Sequence, residues 1–453
     1  MASREDVDLS VEFAGVRMRS PVGVAAQAPF APPSIAVDKM TELLLKHVEE
    51  GAGYVHTPYI NAELAHPPNK LPTGRFMKAE VKRFGRQGMW CTAESYRIEM
   101  RLDAGLRLVD ALKKRCPDDV PVIANIMGPG AEPDAWADHA AKFEAAGADI
   151  IELDVSCPLP ATALGAVEAY ITEELPEHAG VLLGDIPKLT AAVTAECVKR
   201  TGVPIGVKFS PETGFPRLVA FAEQIEAAGA KFITSINAPL SVAPPDIYNG
   251  GKSLYAGLDA NPISPALGPW TRYLCYRNIG TIALFVPGID QAAVGGLVEP
   301  EHVVEAMMLG AKICEFSSGT LWKGWSLIRQ ANAFLGKYMQ QQGYSSLDDF
   351  RSLGVQYIMP ADLVDWGLGR LAAKVDDSKC TGCGICCHNL CWAMSLDKEA
   401  ELAVCDEDLC GTCALCVTIC PEGAVSLGAA KKPRTEEEIY AAVADDEEKR
   451  LQP

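Results

Sequence analysis

The chain has 453 residues, more than a single compact core accommodates, so a large domain and a smaller one are expected. Its 59 acidic side chains against 41 basic ones give a formal charge of −18, which argues against a nucleic-acid partner, because phosphates need a basic face. No eighteen apolar residues run together, and the stretch from Met1 to Ser10 is polar and acidic. The reading is therefore no membrane span and a cytoplasmic location.

From the N-terminus onward, a helical stretch repeatedly ends in Gly-Ala and an apolar run follows at once. The copies are Gly51-Ala52 before Tyr54-Val55, Gly147-Ala148 before Ile150-Ile151, Gly229-Ala230 before Phe232-Ile233, and Gly310-Ala311 before Ile313. Glycine just past a helix end takes the left-handed conformation, and the apolar run reads as a strand buried on both faces. Strands over 22–26, 120–127, 204–209 and 281–286 fit between the copies, with helices over 35–49 and 215–227. Eight strands close a parallel barrel, so residues 1–343 are predicted to form an α/β (β/α)8 TIM barrel. A doubly wound open sheet is less favoured, since no Gly-x-Gly-x-x-Gly follows a first strand.

Such a barrel carries its chemistry at the C-terminal ends of its strands. The residues predicted there are Ala25, Ala26, Thr57, Asn125, Asp154, Ser156, Lys208, Asn237, Gly288 and Ser317. One polar residue in such a place is ordinarily solvated rim; their convergence on one mouth is what carries weight. Lys208, after Ile205-Gly206-Val207, could hold negative charge in a dry pocket. Gly295-Gly296, and Ser317-Ser318-Gly319-Thr320 before another helix, offer backbone N–H groups where barrels commonly bind phosphate, which points to FMN. The insert 61–100 is basic (His66, Lys70, Arg75, Lys78, Lys82, Arg83, Arg86, Arg97) and would lie over the mouth, to draw an anionic group or to face another subunit.

Ten of the sixteen cysteines fall between Cys380 and Cys420. Cys410, Cys413, Cys416 and Cys420, then Pro421, have the ferredoxin spacing, in which the fourth thiolate serves the partner cluster. The first run, Cys380, Cys383, Cys386, is one residue out of register with Cys391, and either Cys386 or Cys387 could be its third ligand. The favoured sets are Cys380, Cys383, Cys386, Cys420 and Cys410, Cys413, Cys416, Cys391, for two 4Fe-4S clusters in a ferredoxin-like domain over 376–428. Zinc gains nothing from a third thiol at the same interval, and a reducing compartment excludes a disulfide framework. A connecting arm over 344–375 and a charged tail over 429–453 complete the organisation.

These features together resemble dihydropyrimidine dehydrogenase, within the wider dihydroorotate dehydrogenase group. The likeness is carried by Val22-Gly23-Val24-Ala25-Ala26, Glu152-Leu153-Asp154-Val155-Ser156-Cys157-Pro158, Val207-Lys208-Phe209-Ser210-Pro211, Thr234-Ser235-Ile236-Asn237, Pro262-Ile263-Ser264-Pro265-Ala266-Leu267, Gly295-Gly296 and the cysteine runs. The resemblance implies FMN with Ala25 and Ala26 beside its ring, Lys208 at the pyrimidine edge, Gly295, Gly296, Ser318 and Gly319 around its phosphate, and Asn237 facing substrate.

The chain departs from that pattern at three places. Leu183 stands where the family has its proton-donating cysteine, Asp154 replaces an asparagine, and Pro58 replaces a lysine. His178 and Tyr170 are the candidate replacement acids. The expected activity is reduction, or formation, of a C=C bond in a small cyclic or conjugated substrate, which the basic insert allows to be anionic. Electrons would come from an NAD(P)H-oxidising flavoprotein subunit or a ferredoxin, in a homodimer or larger complex. The alternative is an electron-transfer subunit whose barrel is a relay.

Overall fold

The computed structural model describes residues 7–26, 37–58, 60–61, 73–79, 89–95, 100–127, 132–156, 184, 186–211, 213–255, 259–260, 263–388, 391–439 and 441. Two compact units divide the chain, Met1–Ile358 and Met359–Pro453.

The first unit is built on eight strands: β1 Val22–Val24, β2 Val55–His56, β3 Val122–Met127, β4 Ile150–Asp154, β5 Ile205–Lys208, β6 Phe232–Ser235, β7 Asp290–Val294 and β8 Ile313–Phe316. Neighbours from β2 round to β8 pair in parallel, and β8 pairs with β1 through Cys314↔Val22 and Phe316↔Val24. Between β1 and β2 the backbone bond is Gly53 N–H to Val22 O at 2.9 Å, so the barrel is nearly closed. Helices alternate with the strands: α1 Val37–Glu49, α2 Leu102–Lys113, α3 Pro133–Ala145, α4 Pro187–Arg200, α5 Arg217–Ala227, α6 Arg272–Phe285, α7 Glu301–Met308, then α8 Ser318–Lys323 and α9 Ser326–Gln342 after β8.

The Gly-Ala repeats mark how each helix turns into its strand. Gly51, Gly147, Gly229 and Gly310 have φ of +95°, +101°, +97° and +117°. In each copy the alanine N–H returns to a carbonyl five residues back (His47, Phe143, Ile225, Ala306), and the glycine N–H to one three residues back. That bond pair satisfies carbonyls a helix end would otherwise leave open.

One packed layer lies outside the strands, where Val122, Ile151, Leu153, Val207 and Ile233 meet buried faces of the helices. Another fills the barrel's N-terminal end, which a short hairpin (Val11–Phe13 with Val16–Met18) covers. Phe13 meets Phe232 with ring centroids 4.8 Å apart. A Cβ on Gly206 would meet the Phe232 ring at 2.3 Å, and one on Gly23 the Tyr54 ring at 2.4 Å. The two glycines are thus the complement of two large rings.

The expected strand at 281–286 is instead the end of α6. Cys275, Asn278, Ile279 and Ile282 are buried at helical spacing, while Phe285 is exposed. The seventh strand is β7, whose Asp290 and Gln291 make its start read as polar. Gly288 consequently precedes a strand instead of ending one, and Asn125 lies within β3.

The insert after β2 contributes strands Thr73–Ala79 and Met89–Ser95, paired antiparallel. They join Ile263–Leu267, which follows β6, through Ala266↔Cys91 and Leu267↔Trp90. This four-stranded sheet, with Leu240–Val242 at its other edge, is carried by connections that leave the C-terminal ends of β2 and β6. The insert's basic side chains lie outside the described residues.

In the second unit, β9 Leu371–Val375 pairs antiparallel with β12 Val425–Ala429, and β10 Met394–Asp397 with β11 Leu402–Cys405. Residues 371–375, read from sequence as the end of an arm, are therefore a strand of this unit. The short helix α10, Leu415–Ile419, follows the second cysteine run and a 3-10 turn, Ile385–Cys387, lies in the first.

Candidate active site

At the C-terminal ends of β4, β5 and β6 the sequence-predicted residues Asp154, Lys208 and Asn237 come together with Ser156. Lys208 is only 5% exposed and its Nζ lies 3.9 Å from Asp154 Oδ2. Asn237 donates one amide bond to Asp154 Oδ1 at 3.1 Å and one to the Ser156 carbonyl at 3.1 Å, and accepts from the Ala238 N–H. Ser156 gives its hydroxyl to the Lys208 carbonyl at 2.9 Å. Parallel register makes this possible, because Asp154 and Lys208 are directly paired. Both amide hydrogens of Asn237 are committed within the protein, so in this arrangement it orients Asp154.

Beneath this trio lies a polar layer that reading the sequence did not single out. His56 Nδ1 is 3.0 Å from Glu315 Oε1, and Nε2 is 3.3 Å from Glu152 Oε1. Asn125 donates to Glu152 Oε1 at 2.6 Å, and the Thr234 hydroxyl donates to Oε2. All five side chains are buried. Burial opposes charge on His56, yet the two carboxylates outweigh it and raise its pKa to about 10. Burial likewise opposes charge on Glu152, but His56, Lys208 and Thr234 hold it down at about 2. The available signal was a charged residue inside each apolar strand, at the parity that points into the barrel.

The glycine loops meet at the ends of β7 and β8. Gly295 and Gly296 have φ of +118° and +73°, a conformation that side chains resist. A Cβ on Gly319 would lie 2.7 Å from the Leu297 carbonyl, so the two loops pack backbone to backbone. Ser318 is buried, and Ala25 binds the Phe316 carbonyl through its N–H at 3.0 Å, which brings the end of β1 beside them. The Cβ directions of Gly295, Gly296 and Gly319 are filled by the protein's own atoms; the small residues at these strand ends fit an anionic phosphate and a flat ring, the groups FMN presents. Ala26 is half-buried next to Ala25. Pro58 is buried after β2, while Cys157, Tyr170, His178 and Leu183 lie outside the described residues.

In the second unit the cysteine runs repeat each other. Cys380 and Cys410 are half-buried, Cys383 and Cys413 exposed, Cys386 and Cys416 buried. Gly382 and Gly384 have φ of +66° and +73°, and their counterparts Thr412 and Ala414 have +55° and +57°. The buried third member matches Cys386 to Cys416, with Cys387 only half-buried. Cys391 and Cys420 pack against the same small core as Cys386 and Cys416. Backbone N–H groups of Ala403 and Ala424 point at the sulfurs of Cys380 and Cys420, at 3.5 and 3.2 Å. Among the described residues no three His, Cys, Asp or Glu side chains gather as ligands of one metal ion. Repeated loops with sulfur-directed N–H donors fit thiolates bound to larger clusters.

No family model matches the chain. It is 26% identical over 445 residues, 95% of this chain and 98% of the relative, to the NAD-dependent dihydropyrimidine dehydrogenase subunit PreA of Escherichia coli strain K12. The catalytic subunit of dihydroorotate dehydrogenase B (NAD(+)) from Thermococcus kodakarensis is 24% identical over 359 residues, 77% of this chain and 98% of the relative. The corresponding subunit from Methanothermobacter thermautotrophicus is 27% identical over 255 residues, 55% of this chain and 71% of the relative. With a parallel eight-stranded barrel and relatives of both kinds, the chain fits the dihydroorotate dehydrogenase superfamily.

Proposed function

We propose that the chain is the flavin- and iron-sulfur-bearing subunit of an oxidoreductase acting on CH–CH bonds, which interconverts a C=C bond and its reduced form in a pyrimidine-like ring. The observation that carries this reading is the buried Lys208 at the end of β5, held beside Asp154 and close to a small-residue mouth. FMN bound there would supply the exchange between single electrons and hydride. Lys208 would hold negative charge at the ring edge, and Gly295, Gly296, Ser318 and Gly319 would take the phosphate. Asp154 only accepts hydrogen bonds, so the group it meets must present donors, as ring N–H groups do. Asn237 fixes the carboxylate's direction. Reduction of the substrate adds one hydride and one proton across its double bond; His178 and Tyr170 are the candidates for the proton.

The two electrons would arrive singly through 4Fe-4S clusters held by Cys380, Cys383, Cys386, Cys420 and Cys410, Cys413, Cys416, Cys391. The relative named as a subunit of an NAD-dependent enzyme supports a partner that oxidises NAD(P)H, with a ferredoxin as the other donor class. Protein purified without oxygen should show flavin bands, broad cluster absorption and roughly eight iron atoms per chain. A colourless, iron-free preparation would overturn the proposal.

Pro58, buried where the resemblance expects a lysine, favours a second reading in which the barrel is an electron relay. Stopped-flow mixing of reduced protein with dihydropyrimidine-forming substrates separates the two. Substrate-dependent flavin reoxidation supports catalysis, and flavin oxidised only by a protein acceptor supports the relay.

A further inference from the structure

Barrel interiors are ordinarily filled by branched aliphatic side chains, yet this one buries an ionic layer. Replacing a buried ion cluster with apolar groups of equal volume is often neutral or stabilising, so the layer is poorly explained as a device for stability. Its geometry is specific. Glu315 of β8 faces one ring nitrogen of His56 at 3.0 Å, and Glu152 of β4 faces the other at 3.3 Å. Nδ1 is hydrogen-bonded to Glu315, while Nε2 lies within ion-pair range of Glu152 without a hydrogen bond; a neutral imidazole would set a lone pair against one of these carboxylates, and only the imidazolium presents an N–H to each. From the other elements, Asn125 of β3 and Thr234 of β6 give their hydrogens to Glu152, and the Tyr54 hydroxyl goes to the Cys314 carbonyl. Glu315 Oε2 has no hydrogen-bond partner among the described residues, which leaves His56 as that carboxylate's neutralising contact.

Lys208 of β5 is the second cation, in the field of Glu152 below and 3.9 Å from Asp154 at its own level. With His56 charged, three carboxylates (Glu152, Glu315, Asp154) face two cations. With His56 neutral they would face Lys208 alone, and the net negative charge around the lysine would grow by one unit.

We propose that His56 is a positioning residue: clamped as an imidazolium between Glu152 and Glu315, it offsets one of the two carboxylates beneath Lys208 and so strengthens the lysine's pull on an anionic ring at the mouth. The proposal rests on the flavin reading of that mouth.

Two measurements on full-length protein with its bound flavin test it. In the first, histidine is labelled with ¹⁵N and the His56 signals, assigned by their loss in His56→Gln, are followed from pH 6 to 9. Both nitrogens should stay protonated throughout; a neutral ring at pH 7.5 overturns the clamp. In the second, the flavin midpoint potential is compared among wild type, His56→Gln, Glu315→Gln and the double variant. His56→Gln should weaken preferential binding of reduced flavin about tenfold, a fall of roughly 30 mV for a two-electron couple. Glu315→Gln should shift it the opposite way, and the double variant should return to within about threefold of wild type. Should His56→Gln fail to fold, the upward shift in Glu315→Gln decides alone. Unmoved potentials, or no recovery in the double variant, overturn the proposal while leaving the flavin reading intact. Protein that never holds flavin fails both.

Discussion

His56 ties the barrel's stability to pH. Its folded pKa of about 10 stands above the usual histidine value because Glu152 and Glu315 outweigh the effect of burial. The stabilisation is therefore fully present below about pH 6.5 and is lost as pH rises through about 10. Thermal unfolding followed at pH 7 and pH 10 should show a loss on the order of a few kcal/mol that His56→Gln flattens. On the acid side Glu152, lowered to about 2, contributes stability that is present above about pH 4.5 and lost as pH falls through 2. Its interaction with His56 is one energy seen from two partners and is counted once. At the mouth, Lys208→Met leaves Asp154 buried without its cation. It is expected to destabilise the protein by about 3 kcal/mol and to strip flavin during gel filtration, read as the ratio of flavin absorbance to protein.

Among the elements, glycine and its absence make opposite predictions. Gly310 combines φ of +117° with a Cβ position 2.6 Å from the Ala283 methyl, so Gly310→Ala should lower stability by about 1–3 kcal/mol in denaturant titrations. Thr412 and Ala414 hold the left-handed conformation without being glycine, at about 1–2 kcal/mol each. Thr412→Gly should accordingly raise stability against urea by about 1 kcal/mol. The helix ends were legible because Gly-Ala names a local bond pattern. Residues 281–286 suggest a strand because apolar runs of six residues look alike in a strand and in a buried helix, and Asp290 and Gln291 at its start conceal β7.

For the whole molecule, the two units divide the proposed work: a barrel for two-electron chemistry and a cysteine-rich unit for single electrons. Exposed Cys413 provides the direct test, since Cys413→Ala should reduce iron from roughly eight to roughly four atoms per chain and remove one cluster signal in electron paramagnetic resonance. Flavin should stay bound, because the barrel's residues are untouched. No helix among the described residues is long and apolar enough to cross a membrane.

Local rules sufficed for the helix-to-strand turns and the placing of Asp154, Lys208 and Asn237 at strand ends, since each depends on neighbours a few residues away. The pairing of Asn237 with Asp154, the contact of Gly319 with Leu297 of the other loop, and the enclosure of His56 by Glu152 and Glu315 join residues 22 to 259 positions apart. Barrel closure alone sets those partners, because strand register decides which side chains share a level and the dry interior decides which of them carry charge.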